Sequence, residues 1–101
     1  MEREMIGMRI DFPGKSDELR KIYEAVNDDI GRTVDFKTNG LVMHTAGPIP
    51  TGWRVLDFWE SQAKLDAFTQ QLMPVIQKHG LPAAAPEIWD VENATPGKRK
   101  T

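Results

Sequence analysis

Residues 52–76, GWRVLDFWESQAKLDAFTQQLMPVI, pass from strand to helix with no residues left over for a loop. That junction constrains the fold more than any other stretch of the chain. Trp53, Val55, Asp57 and Trp59 alternate with Arg54, Leu56 and Phe58, so both faces of the strand carry large apolar groups. Ser61 is placed to cap the helix, in which Leu65, Phe68, Leu72 and Ile76 recur at helical spacing. A strand apolar on both sides needs a packed layer on each. Its own helix supplies one; the other has to come from elsewhere.

Chain length sharpens that need. The 101 residues make one domain, expected to span 1–94, with 95–101 as a disordered basic tail. A domain of this size buries only ~60–65% of its unfolded surface, so a layer from a second subunit adds usefully to stability. The net charge of −2 argues against a nucleic-acid or anionic-membrane partner, either of which favours a basic face. With no cysteine, disulfides, zinc–thiolate sites and thiol nucleophiles are excluded. The opening MEREM contains no apolar run of the signal-peptide kind, and nothing approaches a membrane span, so the expected location is cytoplasmic.

Six elements follow in order. A strand over 5–12 turns Ile6, Met8, Ile10 and Phe12 to one face and ends at Pro13-Gly14. Ser16 is the expected cap of a helix whose buried stripe is Leu19, Ile22, Tyr23, Val26 and Ile30, stopping at Gly31. Val34 and Phe36 either begin a strand or cover the core from a loop. A second strand is expected over 40–46, then a slightly enlarged hairpin loop over 47–52 and the strand and helix already described. Pro74 predicts a kink or restart near Met73, and Gly80 ends that helix. Residues 81–86 are a linker of small residues and 87–92 the last strand.

The order βαββαβ is a ferredoxin-like α+β arrangement: right-handed crossovers put two helices on one face of a four-stranded antiparallel sheet. Pairing Gly47 with Gly52 sets His44 opposite Val55 and Val42 opposite Asp57. Val42, His44, Ala46, Trp53, Val55, Asp57 and Trp59 then share the helix-covered face. Leu41, Met43, Leu56 and Phe58 lie bare on the other, a cluster that soluble monomers rarely expose. A two-fold copy packed sheet on sheet buries it, so a homodimer is expected.

Val55-Leu56-Asp57-Phe58-Trp59-Glu60-Ser61, with Ala67-Phe68 in the helix, resembles the dimeric α+β barrel superfamily, most closely its small antibiotic-biosynthesis-monooxygenase-like domains. The resemblance extends over residues 5–93. It implies a barrel formed by two sheets across a dimer, a ligand held between sheet and helices, and Trp59 pointing into that space. Activities in the superfamily include cofactor-free oxygenation, haem degradation, decarboxylation and isomerisation. Haem-degrading members carry a histidine in the second helix and an asparagine on the first strand. Here residues 66–71 read DAFTQQ and the strand position is Gly7, so the resemblance implies no haem chemistry.

Among candidate chemical groups, His44 is the histidine within a strand, suited to a general base or to a bond with a ligand oxygen. A packed histidine bonded to a backbone carbonyl is the plainer alternative. Asp57, mid-strand between apolar neighbours, must be paired, hydrated or at a polar cavity. It pairs either with His44, as base and orienter, or with a helix Lys or Arg. Trp59 and Trp53 offer flat walls for an aromatic ligand or simply fill the core, with Trp89 adding to the wall; Val42, Val55 and Phe68 complete the candidate contacts. His79 reads as structural, its charge meeting a helix C-terminus. No phosphate loop, metal-ligand cluster or Ser/His/Asp order is present, and the expectation is of no cofactor and no metal. Three functions remain open: binding of a small apolar or aromatic molecule, cofactor-independent oxygenation or isomerisation of a phenolic or quinol-type substrate, and a structural protein with a filled core.

Overall fold

A computed structural model describes residues 5–97. The elements run β1 (Ile6–Pro13), α1 (Ser16–Ile30), β2 (Leu41–Ile49), β3 (Gly52–Trp59), α2 (Gln62–His79) and β4 (Glu87–Asp90). The four strands form one antiparallel sheet in the order β2-β3-β1-β4. This is the ferredoxin-like arrangement expected from the order of elements. Its core joins Ile6, Met8 and Phe12 of β1 to Leu19 and Ile30 of α1 and to Leu65 and Phe68 of α2, around a fully buried Trp59.

The hairpin departs from its expected form. β2 runs on through Gly47-Pro48-Ile49, leaving Pro50-Thr51 as the turn, and Ile49 pairs with Gly52. Pro48 is tolerated because β2 is an edge strand, with one side needing no ladder donor. Gly52 has no substitute here, since a β-carbon would run into the Phe12 carbonyl. The register is therefore two residues from the expected one and sets His44 opposite Asp57, not Val55. A shift of two preserves faces, so most of the face assignment stands. A bulge between Leu41 and Met43 alters the rest. It brings Leu41 opposite Trp59, packed against the core rather than on the bare face, and leaves Val42 47% exposed.

The helix ends are unlike each other. Ser61 caps α2 as expected, its hydroxyl accepting from the Lys64 N–H, and Gly80 closes it in the left-handed conformation. Ser16 does not cap α1; Lys15 holds that position without a side-chain bond. The Ser16 hydroxyl instead reaches the carbonyls of Gly52 at 2.8 Å and Ile49 at 3.3 Å, tying α1 to the hairpin. α2 continues through Pro74 as one helix, so of the kink or restart expected near Met73 the restart does not occur. Asp29 of α1 meets Lys78 at 3.0 Å and His79 at 2.9 Å, so His79 is a strut between the helices. Residues 32–39 form turns that cover the core with Val34 and Phe36. β4 stops at Asp90, short of Glu92, although the Val91 N–H still bonds the Met5 carbonyl. The tail expectation for 98–101 lies outside the described residues.

Candidate functional site

The helices do not seal the covered face of the sheet. Between the two layers lies a cavity of about 660 Å³. Its walls are predominantly apolar: Met8 and Ile10 from β1, Val55 and Trp59 from β3, Phe68 and Leu72 from α2. Trp59 and Phe68 lie with ring centroids 5.0 Å apart, and Phe36 meets Phe68 edge-on at 5.7 Å. The linker, read in the sequence only as a connection, forms a further wall through Leu81, Ala83, Ala84 and Pro86. Its small side chains keep space open where larger ones would fill it. This open volume goes against a filled core.

Three polar side chains meet at this cavity, each from a different element: Tyr23 of α1, His44 of β2 and Asp57 of β3. Asp57 is buried at 4% exposure, and its Oδ1 lies 2.6 Å from His44 Nδ1. A buried carboxylate requires a partner, and this bond supplies it in place of a helix Lys or Arg. His44 Nε2 is bonded to the Tyr23 hydroxyl. The partners decide the tautomer: the carboxylate accepts the Nδ1–H, leaving the Nε2 lone pair for the tyrosine O–H. Burial, aided by the negative charge of Asp57, raises the Tyr23 phenol above its ordinary value, so it stays a donor through neutral pH. The Tyr23 and His44 ring planes lie nearly parallel, 12° apart, with centroids separated by 5.9 Å. Behind Tyr23 stands Trp53 at 5.4 Å, with the Arg20 guanidinium 5.5 Å from the indole centroid.

The candidate residues thus separate. His44, Asp57, Trp59, Val55 and Phe68 border the cavity, whereas Val42 and Trp53 do not. Val42 is turned away by the bulge, and Trp53 is a buried support behind Tyr23. Trp89 is on the opposite face of the sheet, edge-on to Phe58 at 6.3 Å and crossing Gly7, where any β-carbon would collide with its indole. Gly7 therefore belongs to the open face, not to the cavity. Tyr23 was legible only as one member of the buried stripe on α1. Its hydroxyl at an otherwise apolar helical position was the available signal, since a buried tyrosine O–H needs a partner.

The Trp59 indole N–H is buried with no hydrogen-bond acceptor among the described residues. No group of three or more His, Asp or Glu among these residues could hold a metal ion. On the open face, Arg54 grips Asp11 through two bonds of 2.7 and 2.9 Å, and Arg9 meets Glu87 at 3.0 Å. Beside this charged band Met43 is 54% and Trp89 38% exposed.

No family model matches the sequence, and no curated protein aligns with it. Solved structures do match the fold. SnoaB, a cofactor-independent oxygenase from Streptomyces nogalater, is 12% identical with a TM-score of 0.60, covering 92% of this chain and 96% of its own. A dimeric ferredoxin-like protein from an uncultured marine organism is 10% identical at TM-score 0.65, covering 96% and 95%. A Caulobacter crescentus protein, provisionally an antibiotic biosynthesis monooxygenase, is 16% identical at 0.64, covering 90% and 92%. At such identities the likeness is one of fold: the chain is similar in structure to antibiotic-biosynthesis-monooxygenase-like and dimeric ferredoxin-like proteins.

Proposed function

We propose that the chain binds a small apolar or aromatic molecule between its sheet and helices. The observation that carries this reading is the predominantly apolar cavity of about 660 Å³ with a hydrogen-bonded cluster of polar groups at its wall, Tyr23–His44–Asp57. Ligand pockets typically measure ~300–1,000 Å³, with mostly apolar walls and a few placed polar groups that fix orientation. Soaking crystals with 2-naphthol tests the reading: density for the ring beside Trp59 supports it, and an empty cavity at saturating concentration overturns it. Native mass spectrometry of the purified protein would detect a ligand carried through purification.

A second reading is cofactor-independent oxygenation or isomerisation of a phenolic or quinol-type substrate, initiated by removal of a proton. The 2.6 Å His44–Asp57 contact favours it, because it is the pairing of a base with the carboxylate that orients it. SnoaB, of the same fold, is described as a cofactor-independent oxygenase. On this reading His44→Ala abolishes turnover of a quinol while the protein remains folded. Unchanged turnover removes the mechanism.

The same reading has two copies closing their open faces on one another, burying Met43, Leu56, Phe58 and Trp89. The marine neighbour of the same fold is described as dimeric. Light scattering on dilute protein tests it, with a stable monomer as the adverse result. The reading calls for no cofactor, nucleic acid or membrane and places the protein in the cytoplasm; among the described residues no helix is long and apolar enough to cross a membrane.

A further inference from the structure

We propose that Tyr23, rather than His44, is the group that meets the substrate, taking its proton while handing its own to His44 Nε2. This rests on the proton-removal reading above and goes beyond it by moving the catalytic contact to α1.

The geometry leaves His44 no free lone pair. Nδ1 faces Asp57 Oδ1 at 2.6 Å and Nε2 is bonded to the Tyr23 hydroxyl, so both ring nitrogens are engaged within the protein. Direct attack by the imidazole on a substrate proton requires Tyr23 to swing away. The Tyr23 ring also packs against the buried Trp53, at 5.4 Å between centroids, which opposes that movement. The Tyr23 oxygen, in contrast, spends its hydrogen on His44 and retains lone pairs, and Tyr23 borders the cavity. A phenol held protonated by burial suits the relay, because it remains neutral before and after.

The step balances as follows. The substrate C–H or O–H bond breaks and its electron pair stays on the substrate as an enolate or phenolate. A new O–H bond forms on Tyr23 as the old one breaks, and that proton becomes the Nε2–H of His44. The products are a substrate anion and an imidazolium neutralised by the Asp57 carboxylate. The His44 side chain, 33% exposed on the edge strand, can then exchange its proton with solvent. No oxidant enters, so the step can be observed alone.

The experiment follows exchange of the α-protons of 2-tetralone in D₂O by NMR, using the whole chain. Wild-type protein is expected to accelerate exchange above buffer. Tyr23→Phe is expected to lower kcat by roughly 10²-fold or more, the scale of one general acid–base contribution, with KM little changed. His44→Ala is expected to lose as much. If Tyr23→Phe matches or exceeds wild type while His44→Ala is dead, the relay is overturned and direct action by His44 stands. Absence of exchange by wild-type protein overturns the relay and the proton-removal reading together, leaving ligand binding to the 2-naphthol experiment. Should Tyr23→Phe fail to fold, the chain's single tyrosine allows global replacement by fluorotyrosines of graded acidity. A rate that varies along that series supports the relay, and a flat series rejects it.

Discussion

The two faces of β3 differ in what they ask of their neighbours. Trp53, Val55, Asp57 and Trp59 point under the helices, where Trp59 is wholly buried and Asp57 has its histidine. Arg54, Leu56 and Phe58 point the other way, with Arg54 clamped to Asp11 and Phe58 edge-on to a half-exposed Trp89. The covered face is complete within one chain except for the space it encloses. The open face is paired in its charges yet leaves its aromatic surface wet. Alternation along one strand thus gives adjacent residues different surroundings, a cavity wall on one side and an uncovered apolar surface on the other.

The sharpest test of this division is Trp59→Ala. Emptying the centre of the covered face should cost about 3–5 kcal/mol of stability in urea denaturation, and a smaller loss would mean that the cavity walls collapse inward. Phe58→Asp should leave that face intact but cost about 2–4 kcal/mol of association, seen as monomer in sedimentation; an unchanged assembly would show that the open face is not the interface. Gly7→Ala places a methyl group where the Trp89 indole lies, which should cost about 1–3 kcal/mol by overpacking. Its mark would be altered tryptophan fluorescence with His44–Asp57 undisturbed.

Ser16→Ala removes one bond between α1 and the hairpin and should cost about 1 kcal/mol in the same denaturation assay; the loss of a true cap would fray α1 instead. The smallest effect concerns the helix strut. Bonds from His79 and Lys78 lower the Asp29 carboxyl below its ordinary value. A depressed carboxyl stabilises the fold above its unfolded value, and that contribution is lost as pH falls through the folded one. Asp29→Asn should therefore lower Tm slightly at neutral pH and make little difference in acid, where the wild-type carboxyl is already protonated. An equal loss at both pH values would point to packing rather than charge.

The order of elements and the faces of β1 and β3 were legible because they rest on local chemistry. Alternation marks a strand, Ser61 and Gly80 punctuate a helix, and crossover handedness leaves few topologies. The hairpin register was not, since Gly47-Pro48-Ile49 reads as a turn until the edge position of β2 excuses its proline. Val42 and Trp53 left the site for related reasons: one bulge rotates the first, and a neighbouring helix places Tyr23 between the second and the cavity.

By itself the sequence determined the α+β architecture and the placing of His44, Asp57 and Trp59 on one face, consequences of periods two and 3.6 along the chain. Only the tertiary structure decided that these two residues are direct cross-strand partners, that Tyr23 closes a three-residue chain with them, and that the layers leave a hollow. Each depends on how far apart separate elements settle, which side-chain volumes acting together control and no local pattern records.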